Sequence, residues 1–157
     1  MDDSEVTLAV EPADSGVSAA LQQAFFIDIA SRYPGWEPAS SQSVEPSELG
    51  PPTGVWLVAY LDRRPVGCGG LQALDSETAE VRRIFLDAST RGRGVGRALL
   101  GELEAHARRL SYKRVRLTTG DRQPEALGLF RSAGYREIPP FTDGAFTSYW
   151  LEKNLAG

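Results

Sequence analysis

At 157 residues, 41% hydrophobic and 24% charged, with 16 Gly, 10 Pro and one Cys, the composition is that of one soluble globular domain over 1–157, able to bury a core without disulfides or a structural metal. The lone Cys68 excludes a disulfide framework, and the apolar run at 55–61 is far short of the roughly 20 residues that cross a bilayer. The opening residues 1–5 lack the basic and apolar regions of an export signal, so a cytoplasmic protein without membrane contact is expected. The net charge of −4 hides an asymmetry: residues 1–50 hold nine acidic side chains and one basic, whereas 81–116 hold ten basic and three acidic. Such a block suits a phosphorylated cofactor, a nucleic acid or the acidic first third of the chain, and charge alone does not choose.

In chain order, a strand is expected around Val6 to Val10, a turn at 12–16, and a helix from about Val17 to Arg32 that the Pro34-Gly35 pair stops. Val17, Ala20, Leu21, Ala24 and Phe25 make one helical stripe, and Phe26, Ile29, Ala30 and Tyr33 a second. The extra face lines a pocket or lies deep in the core. Residues 35–54 are rich in Pro, Ser, Gly and Glu with little periodicity, long enough for a functional loop or lid. A hairpin follows, from Val55 to Leu61 through a turn at 62–65 to Val66 to Leu74, and Ala79 to Leu86 adds a third strand. Glycines at 67, 69 and 70 weaken the middle strand, or permit a bulge or close backbone approach.

After the glycine-rich segment 87–94, apolar residues at Gly96, Leu99, Leu100, Leu103, Ala107 and Leu110 have the spacing of an amphipathic helix. Arg114 to Thr118 reads as a strand, Pro124 to Ser132 as a helix with Gly134 as its cap, and the chain closes with strands near 135–138 and 146–153. A helix between the strands at 79–86 and 114–118 makes them parallel neighbours in an otherwise antiparallel, mixed sheet. A strand, a glycine loop and a helix start in succession also form a phosphate site, because free N–H groups and the positive end of the helix dipole converge there.

That loop is not a dinucleotide fingerprint, which would need Gly where Arg97 stands, nor a P-loop, which would end in G-K-[ST]. It reads R-x-x-G-x-G at Arg91, Gly94 and Gly96. Together with 79–86, 119–126, Gly134-Tyr135 and 138–141, this order of motifs resembles the GNAT superfamily of acyl-CoA-dependent N-acetyltransferases, in a bacterial branch of small single-domain members. The resemblance covers about residues 55–153 and implies an α/β (α+β) fold, a mixed, mostly antiparallel sheet whose two central parallel strands splay apart, flanked by helices.

The resemblance further implies acetyl-CoA as acyl donor, with its pantetheine arm pairing like an added strand with Ile84, Phe85 and Leu86. Its pyrophosphate would rest on the backbone of Arg91, Gly92, Arg93, Gly94, Val95, Gly96 and Arg97, the glycines leaving room and the arginines adding charge. Gln123 stands where a frequent family Asn reaches the cofactor. Glu80, 11 residues before Arg91, has the spacing of the glutamate that activates the amine, usually through a water; the alternative is an exposed strand glutamate paired with Arg82. The family's usual general acid is absent, because Leu129-Phe130 replaces a Leu-Tyr pair and Phe130 has no proton to give. Tyr135 and Tyr149 are substitutes or core residues, and His106 and Cys68 are expected to pack.

The acceptor is expected to enter by the first helix and the 35–54 and 139–147 loops, near Asp28, Arg32, Tyr33, Trp36 or Phe141. The implied activity is acetyl transfer to a primary amine of a small molecule or peptide by direct attack, in a monomer or homodimer, with no metal and no nucleic acid partner. The alternative is a CoA-binding sensory or regulatory module.

Overall fold

The computed structural model describes residues 5–40 and 44–155. Seven strands and three α-helices follow in the order β1 (Val6–Val10), α1 (Gly16–Arg32), β2 (Val55–Leu61), β3 (Arg64–Ala73), β4 (Thr78–Leu86), α2 (Val95–Arg109), β5 (Arg114–Thr119), α3 (Pro124–Ser132), β6 (Arg136–Glu137) and β7 (Tyr149–Asn154). The strands form one sheet in the order β1-β2-β3-β4-β5-β7-β6, and β4 with β5 is its parallel pair.

Both faces of the sheet are covered, which is why β2 reads as a nearly unbroken apolar run rather than an alternating one. Its odd positions, Val55 and Leu57, pack with Leu99, Leu100 and Leu103 of α2 and Phe130 of α3. Its even positions, Trp56 and Val58, pack on the opposite face with Leu21 of α1 and Cys68 of β3. Each fully buried side chain of this kind contributes roughly 1.5–3 kcal/mol of transfer free energy. The α1 helix starts at Ser15, whose hydroxyl accepts from the Ser18 N–H at 3.1 Å. Its buried face runs through Ser18, Leu21, Gln22 and Ile29, while Ala20 and Ala30 of the two expected stripes are exposed.

The β2–β3 turn needs only Asp62 and Arg63, at φ 51° and 70°, so Pro65, expected in the turn, already lies in β3. This is the twist a two-residue hairpin favours. Gly134, at φ 99°, follows the end of α3 in the left-handed conformation that suits glycine. The glycines of β3 serve close approach: a Cβ on Gly70 would lie 2.6 Å from the Trp56 ring, and one on Gly67 2.9 Å from the Phe85 carbonyl.

Two irregularities of β4 create the site. Pairing with β5 extends only from Thr78 opposite Arg114 to Glu80 opposite Arg116, and beyond it the two strands part. Against β3, the register shifts between Cys68, opposite Phe85, and Gly70, opposite Arg82. Gly69 thus faces two residues, Arg83 and Ile84, in a β-bulge with Arg83 at φ 54°. Ala79 and Val81 face α2, so alternation puts Glu80 and Arg82 on the α1 side. Continued alternation would bury Arg83 against α2, but the bulge returns it to the α1 side, where it meets Gln22 and Phe26. Ile84 takes its place in the α2-side core.

Candidate active site

Two cavities open where β4 and β5 separate. The larger, about 730 Å³, runs from the 84–86 stretch of β4 past Asp87–Thr90 to the start of α2, with α1 and α3 as walls. The smaller, about 170 Å³, is lined by Glu80, Arg82 and Arg83 of β4, Thr118 of β5, Trp36, and the 142–147 loop. They share a wall made by Phe25, Ile84, Gln123, Ala126 and Phe130.

The far end of the larger cavity gathers a helix start and two arginines, an arrangement that favours negative charge. Among the described residues, the backbone N–H groups of Gly94, Val95, Gly96 and Arg97 have no backbone acceptor, as expected at the first turn of a helix. Gly92 and Gly94 both take φ 74°, with open space where a Cβ would point. Gly96 instead lets α2 approach β4, since a Cβ there would lie 2.7 Å from Leu86 Cδ1. The three glycines expected to leave room for a phosphate therefore divide into two that shape the loop and one that docks the helix. Arg91 and Arg97 line this cavity, and Arg97 also donates to the Ser132 hydroxyl at 3.0 Å. Arg93 is exposed and is not among the lining residues.

Glu80 is only 4% exposed, and its Oε1 has no hydrogen-bond partner among the described residues. Burial pushes its carboxyl above the usual carboxylate range, while Arg82 and Arg116 pull the other way. The expected alternative, an exposed surface glutamate, does not describe this side chain. A buried carboxylate with an unused oxygen, facing a cavity, is poised to accept a proton.

Gln123 precedes α3 and lines both cavities, its Oε1 accepting from the Tyr33 hydroxyl at 3.3 Å and the Thr119 hydroxyl at 3.4 Å. The Tyr33 hydroxyl also accepts from the Arg122 N–H at 3.0 Å. Gly120 is required beneath it, because a Cβ there would lie 2.2 Å from that hydroxyl. Arg32 donates to the Arg122 carbonyl and pairs with Asp28 and Glu125, tying the end of α1 to the start of α3.

Phe130 is 2% exposed and touches both cavities, with its ring centroid 6.2 Å from that of Tyr135. Neither Tyr135 nor Tyr149 lines either cavity. The Tyr135 hydroxyl donates to Glu104 at 2.9 Å, and burial together with that carboxylate pushes its pKa up. Tyr149 lies under the Arg131 guanidinium. Cys68 is buried, and burial pushes its thiol up to about 12, so it is inert as a nucleophile.

Of the residues expected beside the acceptor, Trp36 lines the smaller cavity, Asp28 and Arg32 line the larger, and Tyr33 and Phe141 line neither. Ile29 of the second α1 stripe and Phe146 of the expected 139–147 loop also line the smaller cavity, though neither was singled out from the sequence, and Arg83 lines it unforeseen. No local signal marked the last, because the paired arginines 82 and 83 fit a regular strand as well as a bulged one. Among the described residues no cluster of His, Cys, Asp or Glu could hold a metal, and no helix is long and apolar enough to cross a membrane.

The sequence pattern of the acetyltransferase (GNAT) family matches residues 21–135. An IAA acetyltransferase of Azospirillum brasilense is 36% identical over 88 residues, which span 55% of this chain and 57% of that protein. The chain thus matches about half the length of the curated relatives it resembles. Among solved structures, a GNAT-family acetyltransferase of Staphylococcus aureus superposes with a TM-score of 0.81 at 18% identity, covering 96% of this chain and 99% of that one. A GNAT-family acetyltransferase of Elizabethkingia anophelis with acetyl-CoA bound superposes with a TM-score of 0.66 at 20% identity, covering 98% and 99%.

Proposed function

The chain belongs to the GNAT acetyltransferase family, and from that membership we propose that it transfers an acetyl group from acetyl-CoA to a primary amine by direct attack, without a covalent enzyme intermediate. The observation that carries this reading is the buried, unsatisfied Glu80 carboxylate, at the point where a small cavity meets a long cleft ending on free helix N–H groups. Bound acetyl-CoA supplies a thioester carbon to the amine nitrogen, the carbon–sulfur bond breaks, and the sulfur keeps the electron pair.

The protein's part is binding, orientation and proton removal. The β5-facing backbone of Ile84, Phe85 and Leu86 offers pairing to an extended arm. The N–H groups of Gly94 to Arg97 and the α2 dipole attract a pyrophosphate, with Arg91 and Arg97 adding charge. Gly92 and Gly94 shape the loop, Val95 anchors it in the core, and Arg93 on its exposed side adds only diffuse attraction. An amine is mostly protonated at neutral pH, so a base must act first, and a carboxylate lifted toward neutrality suits the task. Glu80 takes that proton, directly or through one water. Phe130 closes the shared wall against solvent, and a leaving thiol of ordinary pKa near 8.5 needs no strong acid.

A second reading, a CoA-binding sensory module without efficient turnover, draws on the apolar Phe130 ring and on the absence of Tyr135 and Tyr149 from both cavities. Thiol-trapped CoA release across a panel of amines separates the two. Release that depends on an amine supports transfer, whereas calorimetric binding of acetyl-CoA with no turnover supports the sensor. One domain in the reducing cytoplasm, as monomer or homodimer, accords with the lone, buried Cys68.

A further inference from the structure

We infer that the acceptor is an aminocarboxylate: Arg83, turned by the β4 bulge into the small cavity that also holds Glu80, receives its carboxylate while Glu80 serves its amine. This rests on the transfer reading above. The bulge is the first support, because regular alternation would aim Arg83 at the α2 core. A non-glycine residue at φ 54° is retained only where the surrounding structure demands it, and here it places two successive arginines on the side of Glu80.

The second support is the company Arg83 keeps. Its Nη1 donates to Gln22 Oε1 at 2.6 Å and its guanidinium carbon lies 5.0 Å from the Phe26 ring centroid. Both partners are neutral, and no acidic side chain among the described residues forms an ion pair with it. Burial, and then the neighbouring Arg82, make its charge harder to hold. A half-buried cation without a counter-charge is costly unless a ligand supplies one. One of five N–H donors is used on Gln22, which leaves a fork able to take a carboxylate through two bonds.

The third support is rigidity. Gln22 is fixed by its Nε2, which donates to the Ala13 carbonyl at 2.7 Å and the Ser18 carbonyl at 3.2 Å. The guanidinium is thereby set before any ligand arrives, which lowers the entropic cost of binding. Apolar walls at Phe25, Ile29, Trp36 and Phe146 strengthen a charge pair inside the cavity, and its acidic Asp143 sits exposed at the edge. Arg83 does not line the larger cleft, where Arg91 and Arg97 do, so it stands apart from the phosphate end.

The test compares amino acids with their own carboxamides, which keep the amine and the body and lose only the negative charge. The twenty standard L-amino acids, β-alanine and γ-aminobutyrate, each beside its amide, are titrated calorimetrically into protein saturated with CoA, and the same pairs are assayed for CoA release with acetyl-CoA. At least one acid is expected to bind roughly tenfold or more tightly than its amide. In Arg83→Gln that ratio falls below about threefold, and in Arg83→Lys, which restores a charge, most of it returns. Circular dichroism confirms that both variants are folded. Acids bound no better than amides, a ratio intact in folded Arg83→Gln, or no binding by any acid overturns the inference. Acids that bind with this Arg83 dependence but are never acetylated uphold the carboxylate site and overturn the transfer reading instead.

Discussion

Replacing Glu80 by Gln removes one ionisable oxygen from a nearly isosteric side chain, and the structure makes the two consequences point in opposite directions. As a base, Glu80 holds the only carboxylate on the β4 wall of the small cavity, and its loss is expected to lower kcat by roughly 10²- to 10⁴-fold at neutral pH. The deficit shrinks at high pH, where the free amine is already abundant. As a buried group, Glu80 is 4% exposed with Oε1 unpaired, and burial raises its folded-state pKa above the ordinary value. The folded protein therefore holds a proton that the unfolded chain has lost, and its stability falls as pH rises from the ordinary glutamate value through the raised one. The slope cannot exceed about 1.4 kcal/mol per pH unit for one proton, and the curve is flat above the raised value. Glu80→Gln lacks this decline, so the variant gains on the parent across that window and keeps its advantage at alkaline pH. Urea unfolding of both proteins from pH 4 to 9, beside pH–rate profiles, reads both effects. Parallel stability curves would refute the burial argument, and a rate loss under tenfold would refute the base.

Gly94→Asp puts a carboxylate at the free N–H groups of α2 and is expected to weaken acetyl-CoA binding at least about tenfold more than Gly94→Asn, which carries the same φ strain without the charge; equal titration curves would remove the proposed phosphate site. Phe130→Tyr keeps the ring and adds a hydroxyl between the cavities, so kcat is expected to rise modestly, about two- to tenfold, and a folded, slower variant would show that the apolar ring itself is required. Gly120→Ala drives a methyl into the Tyr33 hydroxyl and the Phe146 carbonyl and is expected to cost roughly 1–3 kcal/mol in urea unfolding; in a Tyr33→Phe background the cost should be smaller, and additive losses would place the strain elsewhere.

The elements legible in the sequence were those set by local physics. The 3.6-residue spacing from Gly96 to Leu110 located α2, Pro124 and Gly134 bracketed α3, and a helix between two strands implied the parallel β4–β5 pair. The glycine loop leading into a helix start was visible for the same reason, since the unpaired N–H groups of a helix's first turn follow from its position alone. What escaped depends on register and on distant contacts. A bulge at Arg83 exchanges the faces of every later residue in β4, yet an Arg-Arg pair within Val81–Leu86 looks the same with or without it. The Tyr33 hydroxyl meets Arg122 across 89 positions, so no local pattern could foresee that contact, and which cavity Asp28 and Arg32 line depends on the turn of α1 between the two.

The parting of β4 and β5 leaves a strand edge in the middle of a seven-stranded sheet, away from its rims. Open edges are hazards, because their unpaired N–H and C=O groups template the addition of any extended chain and so invite aggregation. Residues 81–86 hold no proline, but the charged Arg82 and Arg83 and the bulge at Arg83 are among the usual deterrents. Enclosure adds to this, since residues of α1 and α3 wall the opening and narrow the access of another chain to the edge. The helix that shapes the cleft thereby also shields an open strand edge, and loosening α1 is expected to expose that edge to pairing with other chains before the fold is lost.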